Sequence, residues 1–124
     1  MTVTHVQLVS VPVSDQERAR NFYVDILGFD LIRDNPMGPT GRWVQVAPKG
    51  AATALTLVNW FPTMAPGSLK GLVLETDDLD GDAAALGARG VVFADDGIQV
   101  APWGRYVTFD DPDGNGIVLQ ATRV

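Results

Sequence analysis

The sequence predicts an α+β domain built from two βαβββ modules, and three observations carry that prediction. A strand pattern runs into a capped amphipathic helix over residues 8–28, the same order returns over residues 71–90, and the segments after each helix match at a spacing of 62 to 63. A repeat of that length decides the architecture before any single residue does.

In the first module Val9, Val11 and Val13 alternate with Ser10 and Pro12, the period-two pattern of a half-buried strand. Ser14 stands three residues before Glu17, a capping-box pattern in which the serine oxygen accepts a free helix N–H. Ala19, Phe22, Tyr23, Ile26 and Leu27 follow at helical spacing, and Gly28 can take the left-handed conformation that ends a helix. About three strands complete the module, with "DNPMGPTG" as a turn-rich connector.

In the second module Leu72 and Leu74 sit in a strand, Asp77 or Asp78 caps a helix carrying Leu79, Ala83 and Leu86, and Gly90 closes it. Gly41-Arg42-Trp43-Val44 returns as Gly104-Arg105-Tyr106-Val107, and Leu55-Thr56-Leu57 answers to Val118-Leu119-Gln120, both 63 residues on. "DDPDGNG" reads as the matching turn, and FPTMAPGSLK (61–70), with two prolines and a glycine, as the linker. Residues 1–60 and 71–124 are then the two modules of one domain, 1–124. A unit of roughly 60 residues buries too little core to stand alone. The two are therefore expected to form a curved mixed sheet around a shared cleft, with the helices on the outer face.

Composition narrows the function classes. With 46% hydrophobic and 19% charged residues the chain reads as globular. Nine basic residues, scattered singly, against 15 acidic ones leave a charge of −6, which argues against nucleic acid as a partner because phosphate neutralisation needs a clustered basic surface. MTVTHVQLVSV lacks the n-region and h-region of a signal peptide, and no run approaches the roughly 18 apolar residues of a membrane helix. A soluble cytoplasmic protein with no membrane partner is expected. With no Cys there is no disulfide, thiol nucleophile or thiolate metal site.

A doubled βαβββ unit with "SDQERARNFYVDILGF" first and "DDPDGNGIVLQ" last resembles the vicinal oxygen chelate superfamily of glyoxalase I, extradiol dioxygenases and bleomycin-resistance proteins. The likeness spans essentially the whole chain and speaks for the fold more than for a reaction. It implies four strand positions, two per module, from which metal-using relatives ligate one divalent ion with His, Glu or Gln. By motif these fall on Leu8, Leu55, Gly71 and Val118. None offers a side-chain lone pair to a metal, and of the neighbouring residues only Gln7 is a plausible ligand. No metal and no other cofactor is expected.

Other chemistries find little support. His5, the single histidine, lies three residues from Leu8 and so faces away from the cleft on a regular strand, as a structural or surface residue. "DPDGNG" opens like a calcium loop, but its twelfth position is Thr122 rather than the bidentate Glu. Only Ser10, Ser14 and Ser68 are available as serine nucleophiles, without a G-x-S-x-G elbow.

What remains is a cleft lining. Strand parity with the four positions adds Ser10, Leu57, Asn59, Val73, Glu75 and Gln120. Val44, Val46, Val107 and Phe109 read as core against the helices, which turns Trp43, Gln45, Tyr106 and Thr108 toward the cleft, with Trp60 and Trp103 at its rim. Aromatic walls of this kind suit a flat apolar ligand, or else pack in the core or a dimer interface. Glu75 is the candidate catalytic residue, a general base if an apolar wall raises its pKa, a solvated strand end if not. Arg42 and Arg105, repeat-equivalent, are either anion grips or exposed turn residues.

The leading expectation is a metal-free homodimeric protein of the glyoxalase/bleomycin-resistance type that binds, and possibly sequesters, an apolar or aromatic small molecule between its modules. The alternative is an enzyme of the same superfamily, a lyase, isomerase or dioxygenase, with an atypical metal site or a Glu75-based mechanism.

Overall fold

Both modules form, strand for strand, in a computed structural model that describes residues 1–123; Val124, the last residue of the expected second module, lies outside them. The first comprises β1 (Leu8–Pro12), α1 (Gln16–Asn21) with a π-helical continuation (Phe22–Ile26), β2 (Asp30–Met37), β3 (Gly41–Ala47) and β4 (Ala54–Val58). The second comprises β5 (Leu72–Glu75), α2 (Leu79–Ala88), β6 (Gln99–Ala101), β7 (Gly104–Asp110) and β8 (Gly116–Thr122). The strands form two four-stranded mixed sheets of identical topology, ordered β1-β4-β3-β2 and β5-β8-β7-β6. In each sheet the module's first and last strands run parallel and the other pairs antiparallel.

Three local details differ from the sequence pattern, each for a physical reason. Asp15, not Ser14, caps α1 by accepting from the Arg18 amide at 3.1 Å. Ser14 is drawn elsewhere: its N–H and its hydroxyl both donate to Asp113 Oδ1, at 3.1 and 2.6 Å, across 99 residues of chain. The "DNPM" segment belongs to β2, and Pro36 is tolerated because β2 is an edge strand whose outer N–H groups need no partner. A register shift between Leu31 and Arg33 places a bulge in the same edge strand. At α2 Asp78 is the cap, accepting from the Gly81 amide.

Each helix covers the face of its sheet opposite the expected cleft face, and the two covered faces share one core. Val11, Val44, Val46, Leu55 and Leu57 of the first sheet belong to the same buried cluster as Val107, Phe109, Ile117 and Leu119 of the second. Phe22 and Tyr23 of the first module and Leu79 and Leu86 of α2 fill the layer between. Phe22 meets Phe109 across the modules at 6.4 Å between centroids. Repeat-equivalent ion pairs fasten each helix to its own sheet: Arg42 to Glu17 at 2.7 Å, and Arg105 to Asp80 at 2.8 Å. Both arginines are thus engaged by carboxylates of this chain.

The modules are locked through the Asp111 carboxylate, which is 5% exposed. It accepts from the Tyr23 hydroxyl (2.9 Å), the Asp113 and Asn115 amides (2.9 Å each) and the Asn115 side-chain amide (2.8 Å). Asn115 donates as well to the Pro12 carbonyl and accepts from the Leu69 amide, which joins the end of β1 and the linker to the turn. At Gly67 the linker has φ +79°, and a Cβ there would collide with the Asp113 carbonyl oxygen. Only glycine combines that conformation with that approach.

Burial, then the negative charge of Asp111, push the Tyr23 phenol far above its ordinary range, so it remains a donor at neutral and alkaline pH. Tyr23→Phe should cost about 1.5–3 kcal/mol of unfolding free energy, because it removes a donor from a buried carboxylate. Urea unfolding checks this, and a loss indistinguishable from zero would contradict the lock. Hydrogen bonds from Arg42 hold the Asp34 carboxyl below its usual value of 3.8. A depressed folded pKa adds stability that is present above the unfolded value and lost as pH falls through the folded one. The stability gap between the wild type and Asp34→Asn should therefore persist at neutral pH and close in acid below the ordinary carboxylate range.

Candidate functional site

Strand register fixes which side chains share the face of each sheet that no helix covers. In the first module Thr56 of β4 lies beside Ser10 of β1 and Gln45 of β3, and Ala54 lies beside Leu8. Leu8, Ser10, Trp43 and Gln45 share this face. Leu55 and Leu57 do not: they are 5% and 0% exposed in the shared core, with Val46 beside Leu55 and Val11 beside Leu57. Asn59 falls beyond the end of β4 and is exposed.

The cause is a spacing of 62, rather than 63, between the last strands of the modules. Gln45 pairs with Thr56 as Thr108 pairs with Val118, so Thr56, not Leu55, is the counterpart of Val118. A slip of one residue in a strand turns every side chain to the other face. The four repeat-related positions are therefore Leu8, Thr56, Gly71 and Val118, and the one oxygen among them is a neutral hydroxyl, a poor ligand for a divalent transition metal. His5 lies outside β1, exposed and hydrogen-bonded to Thr4. Among the described residues no three His, Cys, Asp or Glu side chains converge as a metal site needs. The donor set does not fit the metal ion of the metal-using relatives.

Aromatic side chains build the first-module face. The Trp43 and Trp60 rings stack with centroids 6.1 Å apart and planes 23° off parallel, and Phe61 leans on Trp60 at 6.0 Å. The Trp43 indole N–H donates to Gln45 Oε1 at 3.1 Å, fixing the ring over the strand. Phe61 was assigned to the linker and missed as a site residue; its position directly after Trp60 was the available signal.

On the second-module face a cavity of about 370 Å³ is lined by Val73, Trp103, Tyr106, Val118 and Gln120, residues that the sequence pattern assigns to a cleft between the modules. Thr108 shares the face through its pairing with Val118. Glu75 pairs with Gln120 at the strand end and is exposed, at the edge of a cavity of about 170 Å³ whose other walls include Leu27, Phe29 and Leu119. Its carboxylate accepts from the Thr122 hydroxyl (2.5 Å) and amide (2.9 Å), which hold it below the ordinary range as a fixed anion. That is the wrong direction for a general base poised near neutrality.

Because the helix-covered faces meet in one core, the two uncovered faces look away from it. The cavity over β7 and β8 has second-module walls alone, and the tryptophan stack belongs wholly to the first module. A larger cavity, about 530 Å³, opens between the π-helical turn and the loop after α2, bounded by Phe22, Arg89, Phe93 and Phe109 on the helix side. It contains none of the tryptophans.

Comparison with known proteins gives a consistent picture. The family model described as Glyoxalase/Bleomycin resistance protein/Dioxygenase superfamily matches residues 2–119. TnmS3, an antibiotic binding protein from Streptomyces sp. CB03234, is 60% identical with a TM-score of 0.93, covering 99% of both chains. A superfamily member from Sphaerobacter thermophilus is 38% identical with a TM-score of 0.88 over 98% of this chain and 99% of its own. The uncharacterized protein YetH of Bacillus subtilis (strain 168) is 37% identical over 95% of this chain and 98% of its length.

The corrected register has a direct stability test. Leu57→Ala should cost about 2–5 kcal/mol as a core truncation, whereas Val73→Ala, at a side chain 53% exposed on the open face, should stay within about 0.5 kcal/mol. Chemical denaturation of both variants reads the order; equal costs would restore the register expected from the sequence.

Proposed function

The chain belongs to the Glyoxalase/Bleomycin resistance protein/Dioxygenase superfamily, and from that premise we propose that it binds, and so sequesters, an apolar or aromatic small molecule without a metal of its own. The observation that carries this reading is the pair of aromatic half-walls, Trp43 with Trp60 and Phe61 on one face and Trp103 with Tyr106 on the other. Indole and phenol rings supply large apolar area with few rotatable bonds, and their N–H and O–H groups orient a flat ligand. The antibiotic-binding character of TnmS3, so similar over the full chain, supports a drug-like ligand here.

Each face is one wall of a cleft. A homodimer that sets the first-module face of one copy against the second-module face of the other encloses two equivalent sites, in the closed symmetry that most homo-oligomers adopt. Leu8, Ser10, Trp43 and Trp60 then line one side, and Val73, Trp103, Tyr106, Val118 and Gln120 the other. A cytoplasmic setting suits a cysteine-free protein, and among the described residues no helix is long and apolar enough to cross a membrane. Sequestration requires affinity and no bond-making step, which agrees with a Glu75 carboxylate held as a fixed anion by Thr122.

Titrating planar aromatic antibiotics against tryptophan fluorescence should give a saturable quench, weakened about tenfold by Trp60→Ala through loss of a stacked ring. A panel with no response would overturn the ligand-binding reading. Light scattering should return twice the 13.3 kDa chain mass, and a monomer at micromolar concentration would overturn the two-chain cleft. Elemental analysis of protein purified without chelator should find substoichiometric divalent metal; one tightly held ion per chain would sink the metal-free reading.

A further inference from the structure

Resting on the ligand-binding reading above, we infer that the ligand carries a neutral carbonyl oxygen on its ring system and that the Thr56 hydroxyl recognises it. Thr56 is 1% exposed, and its Oγ1 has no hydrogen-bond partner among the described residues. A buried hydroxyl left unpaired is a net cost to the fold, and a valine of the same shape would avoid it. Its repeat counterpart, Val118, is such a residue. The unpaired oxygen therefore stands on one face only, in the middle of β4.

Its surroundings define the chemistry. Ser10 on β1 and Gln45 on β3 lie directly beside it on the same face. Gln45 Oε1 already accepts the Trp43 indole N–H, which leaves the amide nitrogen of Gln45 as a donor. Two hydroxyls and an amide N–H, all uncharged, thus gather next to the Trp43–Trp60 stack. Such groups match a neutral acceptor. A carboxylate or phosphate would call for a guanidinium at the hydroxyl; the one on this face, Arg33 beside Gln45, stands on the edge strand β2, two strands from Thr56, and Arg42 lies on the helix-covered face, held by Asp34 and Glu17. A ring seated against the tryptophans turns its edge oxygen toward β4.

Equilibrium dialysis of the full chain against 9-fluorenone and fluorene tests this, because the two tricyclic probes differ in a C=O against a CH2. The ratio of the two affinities should favour the ketone in the wild type, fall about fivefold to tenfold in Thr56→Val and hold in Thr56→Ser. Thr56→Val keeps the buried shape, and circular dichroism verifies that it folds. A wild-type ratio near unity with both probes bound, or a preference that survives Thr56→Val, overturns the role of Thr56 while leaving the aromatic site standing. Binding of neither probe by the wild type overturns this inference together with the reading beneath it.

Discussion

A carboxylate withdrawn from water must be met by donors, and Asp111 collects them from both ends of the chain. The Tyr23 hydroxyl comes from the first helix and Asn115 from the last hairpin, and Asn115 passes the connection on to Pro12 at the end of β1. Removing any one donor leaves charge less well solvated in a medium that cannot supply a substitute. That requirement fixes how the modules sit together. With the helical layers pressed into one core, the remaining face of each sheet has nowhere to point but outward.

The placement of aromatic residues follows. A tryptophan pair on one face and a tryptophan with a tyrosine on the other are poor surface residues and good cleft walls, and neither wall has its opposite within the chain. These two open aromatic faces are the surfaces that the proposed recognition through shape and stacking would use. The position from which metal-using relatives would ligate holds a hydroxyl in the first module and a methyl-bearing valine in the second. The one acid beside the aromatic cavity is kept ionised by its neighbour Thr122.

Much of the fold was legible because periodicity and repetition are written locally. The valine alternation of β1, the helical spacing from Ala19 to Leu27 and the echo of Gly41–Val44 in Gly104–Val107 need no tertiary information. What was illegible depended on distant partners or on a single inserted residue. Ser14 and Asp15 are both competent caps, and the choice was made by Asp113, far along the chain. Leu55 and Thr56 are equally compatible with a strand; the four residues of β4 other than Thr56 are apolar and every residue in it is buried, which hides its parity. That one-residue ambiguity displaced Leu55 and Leu57 from cleft to core and concealed Thr56. On β7, where polar and apolar residues alternate, the side-chain parity of Tyr106 and Thr108 is readable directly.

The linker adds a consequence for assembly. Gly67 donates to the Pro12 carbonyl and lies against the Asp113 backbone, so the connection between modules is fastened within its own chain. A chain fastened in this way completes its core alone, and in the proposed homodimer it would dock as a preformed body, in a second-order step. Under that proposal fold and ligand site would obey different laws of mass action: dilution would leave the first intact while it dissolved the second, and a ligand spanning the junction would draw the pair back together. The concentration of the protein itself would become a term in its apparent affinity.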